Sequence, residues 1–408
     1  MQTQPLRIDG VRLLRNLFDL ARVGKTPDGT NRIAYSDADR EGRSLAMELM
    51  AAAGLDIRVD TAANIIGRRV GTDPTLPAIV IGSHIDSVPN GGDYDGPVGS
   101  LSGIEVAHTL HEHGYTTRHP FEVVLFQNEE GGLFGSRLVS GAFEDRELDL
   151  VSNSGKTIRE GITFLHGDPD RLDEAWRTRA DVSAYLELHV EQGAVLEQAN
   201  ASIGIVEGIV GIGCWKVVVD GAANHAGTTP MTQRRDALLA AARFVEAVNR
   251  IVTAEPGHHV GTVGCLEAFP GAPNVIPGRV EACLELRDLD WQHIVALYER
   301  IARESGRIGN ENQTSFTFKK TVANQPVPTD PRIRSMIAAA AQELGLTHRS
   351  LPSGAGHDAQ EMARIAPVGM IFVPSAGGIS HSPREFSRPE DIERGANVLL
   401  GTLLRLDS

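Results

Sequence analysis

Four short apolar runs, at 78–82, 121–127, 184–188 and 368–373, each break into polar residues at their C-terminal end. A helical pattern at about 99–113 separates the first two, and alternation of this kind argues for an α/β layer around a partly parallel sheet. Further helices are expected at about 9–23, 37–54, 331–344 and 389–405, the second opened by Ser36-Asp37 and closed by Gly54.

The texture changes between Gly213 and about Pro328. Strand patterns at 214–220, 261–268, 279–287 and 315–321 interleave with helical patterns at 234–251 and 291–307, giving the order β-α-β-β-α-β of a compact ferredoxin-like module. We therefore expect a discontinuous outer domain, 1–212 and 327–408, and an inserted domain, 213–326.

Composition removes several function classes. With 39 Lys plus Arg against 53 Asp plus Glu, the net charge is −14, and a surface that acidic repels nucleic acid and anionic lipid. No stretch approaches the roughly 18 uncharged apolar residues that a membrane span requires, and no export signal is visible, so a cytoplasmic protein is expected. Cys214, Cys265 and Cys283 form no C-x-x-C pair and read as small buried apolar residues.

The chemistry is expected where strands end, because the carboxyl ends of α/β strands converge on a crevice. The first run leads into His84-Ile85-Asp86, and a period of two places Asp86 beside His84, where it can orient the imidazole. Asp95 follows in a Gly-rich loop before the helix near Gly99, and the second run delivers Asn128-Glu129-Glu130. The third run supplies His189, and the fourth leads to His381. His84, Asp95, Glu130, His189 and His381 form an all-N/O set suited to two divalent ions of the zinc, manganese, cobalt or nickel type. Two such ions about 3.5–4 Å apart polarise a carbonyl and lower the pKa of a shared water, so hydrolysis is the expected reaction. Glu129, beside Glu130 but pointing elsewhere, is suited to general-base work. Taken singly, each residue has a plainer role: Asp95 as a helix cap, Glu129-Glu130 as a solvated turn, each His as a hydrogen-bonded structural residue. His108, His111, His113 and His119, and likewise His166, His258, His259, His293 and His348, read as solvated.

The segments Gly82-Ser83-His84-Ile85-Asp86, Gly92-Asp93-Tyr94-Asp95-Gly96, Asn128-Glu129-Glu130-Gly131, Glu187-Leu188-His189-Val190-Glu191-Gln192-Gly193 and Gly378-Ile379-Ser380-His381-Ser382 occur in order. Together they resemble the hydantoinase/carbamoylase amidases of the dinuclear metallopeptidase superfamily: N-carbamoyl-L-amino-acid hydrolases, β-ureidopropionases and allantoate amidohydrolases. That resemblance implies a metallopeptidase-like catalytic domain with a central mixed sheet flanked by helices, and an inserted α+β lid and dimerisation domain. It implies that Asp95 bridges two ions, that His84 and His189 complete one site and Glu130 and His381 the other, and that Glu129 is the acid/base. A His rather than a carboxylate at 189 separates this branch from the exopeptidases. His225 resembles an oxyanion-stabilising residue reaching in from the partner of a homodimer, and Asn274 and Arg287 resemble substrate-holding residues. Arg287 alternates with Cys283 and Glu285 on one strand face while Ala282, Leu284 and Leu286 take the other, so it reads equally as a carboxylate clamp or as a surface ion pair. Gln192 and the Gly354-Ala355 turn before His357 are weaker candidates for the same pocket.

The expected reaction is hydrolysis of the ureido C–N bond of an N-carbamoyl amino acid, a small carboxylate-bearing substrate. The alternatives are an allantoate amidohydrolase with the same ligands, a dipeptidase-like exopeptidase and a non-catalytic dimeric scaffold.

Overall fold

The computed structural model describes residues 6–408, so the first five residues of the expected outer domain lie outside it. The chain divides into two compact units, one comprising residues up to Glu207 together with Thr329–Ser408, the other Gly208–Pro328. The inserted unit begins ahead of the sequence expectation because its first strand, Gly211–Asp220, starts at glycines that carry no apolar signal.

In the outer unit one mixed sheet runs in the order Ile203–Ile209, Val368–Val373, Val182–Val190, Ala78–His84, Phe121–Phe126, Ile65–Arg69, Asp56–Val59. The neighbours among the four strands from Val368–Val373 to Phe121–Phe126 are parallel. They are the four apolar runs of the sequence, and their residues are almost wholly buried, as expected of parallel strands covered on both faces. The flanking pairs are antiparallel. Because the central strands share one direction, their C-terminal ends lie along one edge, and every strand-end polar residue emerges there.

The helix Pro97–Glu112 begins directly after Asp95-Gly96, and nearly all of it is buried in a core shared with Ile79, Ile81, Leu186, Leu188, Leu399 and Leu403. Its first turn presses so closely on the sheet that a Cβ on Gly99 would lie 2.1 Å from the Leu188 carbonyl oxygen. The helix Gly10–Ala21 is fastened to it by Arg12, whose Nε and Nη2 each donate at 2.7 Å to the buried carboxylate of Glu105.

The inserted unit has a four-stranded antiparallel sheet in the order Val260–Phe269, Arg279–Asp288, Gly211–Asp220, Ser315–Asn324. Helices Ala237–Val252 and Trp291–Asn312 cover one face, burying Trp215, Val217, Phe244, Leu284, Leu286, Leu297 and Ile301. The chain order and strand order are those of a split β-α-β pair.

Two expectations need correction. Cys214 is half-buried and Cys265 and Cys283 are exposed, because alternation along their strands turns them away from the helices. His259 is buried rather than solvated, its Nε2 on the Val252 carbonyl at 2.9 Å. Among the described residues no helix is long and apolar enough to cross a membrane.

Candidate metal centre

The parallel edge gathers the five expected ligands into two clusters that share Asp95: His84, Asp95 and His189, all buried, and Asp95, Glu130 and His381. Asp95 Oδ1 faces the first, 3.1 Å from His189 Nε2 and 3.8 Å from His84 Nε2. Its Oδ2 faces the second, 3.1 Å from His381 Nε2, which in turn lies 3.6 Å from Glu130 Oε2.

The two buried imidazoles are held from behind. His84 Nδ1 donates to the Asp86 carbonyl at 3.0 Å and His189 Nδ1 to the Val190 carbonyl at 2.9 Å, so both Nε2 atoms face the cluster. The Asp86 side chain lies beside the first ring, its Oδ1 3.6 Å from His84 Nδ1, and it also has a second task. Its Oδ1 accepts the Glu129 N–H at 3.3 Å and its Oδ2 the Glu130 N–H at 3.2 Å, so it fixes the turn that carries both glutamates.

That turn is also strained: Asn128 has φ 57°, and Gln192 and His381 have φ 57° and 51°. Left-handed backbone at non-glycine residues costs free energy and persists only where the surroundings impose it. Gly96, at φ 81°, is required for a different reason, since a Cβ there would lie 2.4 Å from His84 Cε1.

Glu385 was not anticipated from the sequence. Its Oε2 accepts the backbone N–H groups of Tyr94 and Asp95 at 2.9 and 3.2 Å, and Ser380 Oγ reaches both its Oε1, at 2.8 Å, and Asp95 Oδ2, at 3.0 Å. It therefore locks Asp95 to the loop that bears His381.

Burial pushes the Glu130 carboxyl up to about 8, with Asp95 adding to the effect, and pushes the Glu129 carboxyl well above its usual range, with Asp358 and Glu130 adding. Burial lowers His84 to about 4, so its imidazole is neutral at ordinary pH. His189 Nε2 is buried without a hydrogen-bond partner. Imidazole nitrogens facing inward, one of them without a hydrogen-bond partner, beside crowded carboxylates are a donor set for divalent cations.

Glu129 Oε2 lies 3.7 Å from His84 Nε2, at the margin of the first cluster. Gln192 stands closer than expected of a substrate-pocket residue: its Nε2 donates to Asp95 Oδ2 at 2.7 Å and lies 3.4 Å from His381 Nε2. Behind His189, the ring of His357 packs edge-on at 4.4 Å between centroids, with its Nε2 on Ser353 Oγ at 2.8 Å. The same hydroxyl donates to the Ala355 carbonyl, so Gly354-Ala355 forms a turn folded around Ser353.

The remaining expected residues belong to the inserted unit. His225 is exposed, and its Nδ1 accepts the N–H groups of Gly227 and Thr228 at 3.0 and 3.2 Å, which places the proton on Nε2. The carbonyl of Asn274 accepts from Ala226 N–H at 2.9 Å, tying the two loops together. Arg287 Nε donates to Glu285 Oε1 at 2.7 Å along its own strand.

Residues 80–405 match the model of peptidase family M20/M25/M40. The chain belongs to that family. Within it, the chain is 42% identical over 405 residues to an N-carbamoyl-L-amino acid amidohydrolase of Geobacillus stearothermophilus, covering 98% of this chain and 99% of the relative. It is 36% identical to a ureidoglycolate hydrolase of Arabidopsis thaliana, over 98% of this chain and 87% of that one. A crystal structure of a hydantoinase/carbamoylase family amidase from Burkholderia multivorans superposes with a TM-score of 0.90 at 37% identity, over 98% of both chains. The M20/M25/M40 match begins inside the strand Ala78–His84 and takes in all five clustered residues.

Proposed function

We propose that this member of the M20/M25/M40 family is a metal-dependent amidohydrolase that cleaves the ureido C–N bond of N-carbamoyl amino acids to the amino acid, carbon dioxide and ammonia. The observation that carries the reading is Asp95, with one carboxylate oxygen turned to each of two histidine-bearing clusters. The amidohydrolase from Geobacillus stearothermophilus supports the substrate class.

His84, Asp95 and His189 would hold one divalent ion and Asp95, Glu130 and His381 a second. Bound there, such ions supply Lewis-acid polarisation of the carbamoyl carbonyl and a water of lowered pKa. Glu129 takes a proton at its carboxylate and passes it to the departing nitrogen. Asp86 keeps that carboxylate in place through the backbone of the turn. In a homodimer, His225 of the partner subunit would donate its Nε2 proton in a hydrogen bond to the oxyanion as it forms. For substrate binding we propose Arg287 and Asn274, suited to a carboxylate, and, as further candidates, Gln192 and the Gly354-Ala355 turn.

The test is ammonia release after chelation and reloading with manganese, cobalt, nickel or zinc. The panel contains N-carbamoyl-L-amino acids, N-carbamoyl-β-alanine, allantoate, ureidoglycolate and dipeptides. Cation-dependent turnover of an N-carbamoyl amino acid is expected, and hydrolysis confined to dipeptides would remove the proposal. Ureidoglycolate is the second reading, favoured by the Arabidopsis thaliana relative, and preferential turnover of it would select that reading.

A further inference from the structure

All three cysteines lie in the inserted unit, and the strand register decides what surrounds each. Along Arg279–Asp288 the residues Val280, Ala282, Leu284 and Leu286 are buried, so Cys283 stands on the opposite, open face. Its direct partner across the ladder to the edge strand Val260–Phe269 is Cys265, and both residues are exposed. The neighbouring Cys283 pushes the Cys265 thiol up.

Directly opposed residues of an antiparallel pair have Cα atoms about 4.5–5.5 Å apart. A disulfide spans Cα separations of about 4.4–6.8 Å, so the backbone already satisfies the requirement. The register shifts between Val263 and Cys265, and the glycine in that shift, Gly264, has open space around it, so the edge strand can yield without displacing core side chains.

Cys214 is placed differently. Its cross-strand partner is Glu285, while Cys283 faces Lys216, so Cys214 and Cys283 are diagonal. Diagonal positions lie about 7–8 Å apart, outside the bridging range. The Cys214 thiol is instead directed at Glu285 Oε2, at 3.7 Å, on a half-buried side chain.

We propose that Cys265 and Cys283 form a reversible dithiol–disulfide site on the open face of the inserted sheet, with Cys214 excluded from it. With a small-molecule disulfide as oxidant, one protein thiolate attacks it and releases the first small thiol. The second protein thiolate then attacks the mixed disulfide and releases the second. One S–S bond forms in the protein, one breaks in the oxidant, and the two protons and two electrons leave on the two released thiols. An exposed cross-strand bond is of the labile class, readily reduced again.

The test is titration of the full chain with glutathione buffers of increasing oxidised fraction, followed by alkylation and peptide mapping under non-reducing conditions. The expected result is loss of two alkylatable thiols in one transition and a linked Cys265–Cys283 peptide. The chain mass falls by two hydrogens, Cys214 is alkylated, and dithiothreitol reverses the change. Cys265→Ser and Cys283→Ser should each carry a single glutathione adduct in place of the bond. A bond involving Cys214, a bond between chains, separate adducts on Cys265 and Cys283 of the unaltered protein, or no change in thiol count would each overturn the proposal.

Discussion

Asp86 and Glu129 are joined by a contact that the sequence spacing alone would have assigned elsewhere: the Asp86 carboxylate accepts the Glu129 backbone N–H at 3.3 Å. The glutamate side chain is thereby left to act while its main chain is pinned. Separating these two jobs gives the proposed acid/base a fixed position without using any of its own oxygens.

Glu129→Gln keeps the shape of that residue and removes its basicity. Turnover should fall by about 10²–10⁴, the usual contribution of a positioned acid/base group. Metal content by elemental analysis should match the unaltered protein, because Glu129 belongs to neither ligand cluster. Full turnover with metal retained would take Glu129 out of the mechanism.

Gly96→Ala drives a methyl group into the His84 ring and forces alanine to φ 81°. Displacing a ligand's orientation typically costs about 10–100-fold in metal affinity. Calorimetric titration with manganese or zinc should show that loss, and unchanged affinity would mean that the ring moves freely.

Arg12→Ala strands the Glu105 carboxylate, whose side chain is only 1% exposed. Removing one partner of a buried pair costs about 3–5 kcal/mol. Urea unfolding should show the loss, and Arg12→Ala with Glu105→Gln should recover much of it. If the double variant is no better than the single, the cost lies in packing rather than in the stranded charge.

Asp39 is buried, and burial raises its carboxyl from 3.8 to about 6, against the pull of Arg43. Between those values the folded chain holds a proton that the unfolded chain has released. This contribution to stability is therefore complete below about pH 4 and is lost as the pH rises through about 6. The shift of about two units corresponds to about 3 kcal/mol. Asp39→Asn should flatten the fall of unfolding free energy over that window, and an unaltered slope would show that other groups set it.

His225→Ala tests the proposed oxyanion donor. Loss of one such donor costs about 10²–10³ in turnover, with metal content unaffected. A change in KM alone would reassign His225 to substrate binding.

The four central strands were legible because parallel strands buried on both faces read as unbroken apolar runs, and their ends carry His84, Glu130, His189 and His381. The antiparallel strands Asp56–Val59 and Ile65–Arg69 were not, since arginines interrupt their short apolar pattern. Glu385 was invisible for a different reason: it meets Asp95 across 290 positions, and only the folded sheet brings them together. The cysteines are instructive, because the alternation of Cys283 with Glu285 and Arg287 already pointed away from the core. The general preference of cysteine for burial yields to that alternation, because the helices cover the Leu284 face.

Asp95 is tied to His381, Ser380 and Glu385, which enter the chain only after the whole inserted unit has been made. In a chain made from its N-terminus, the contacts of Asp95 with these residues therefore become possible later than those with His84 and His189, because the inserted unit lies between them in sequence.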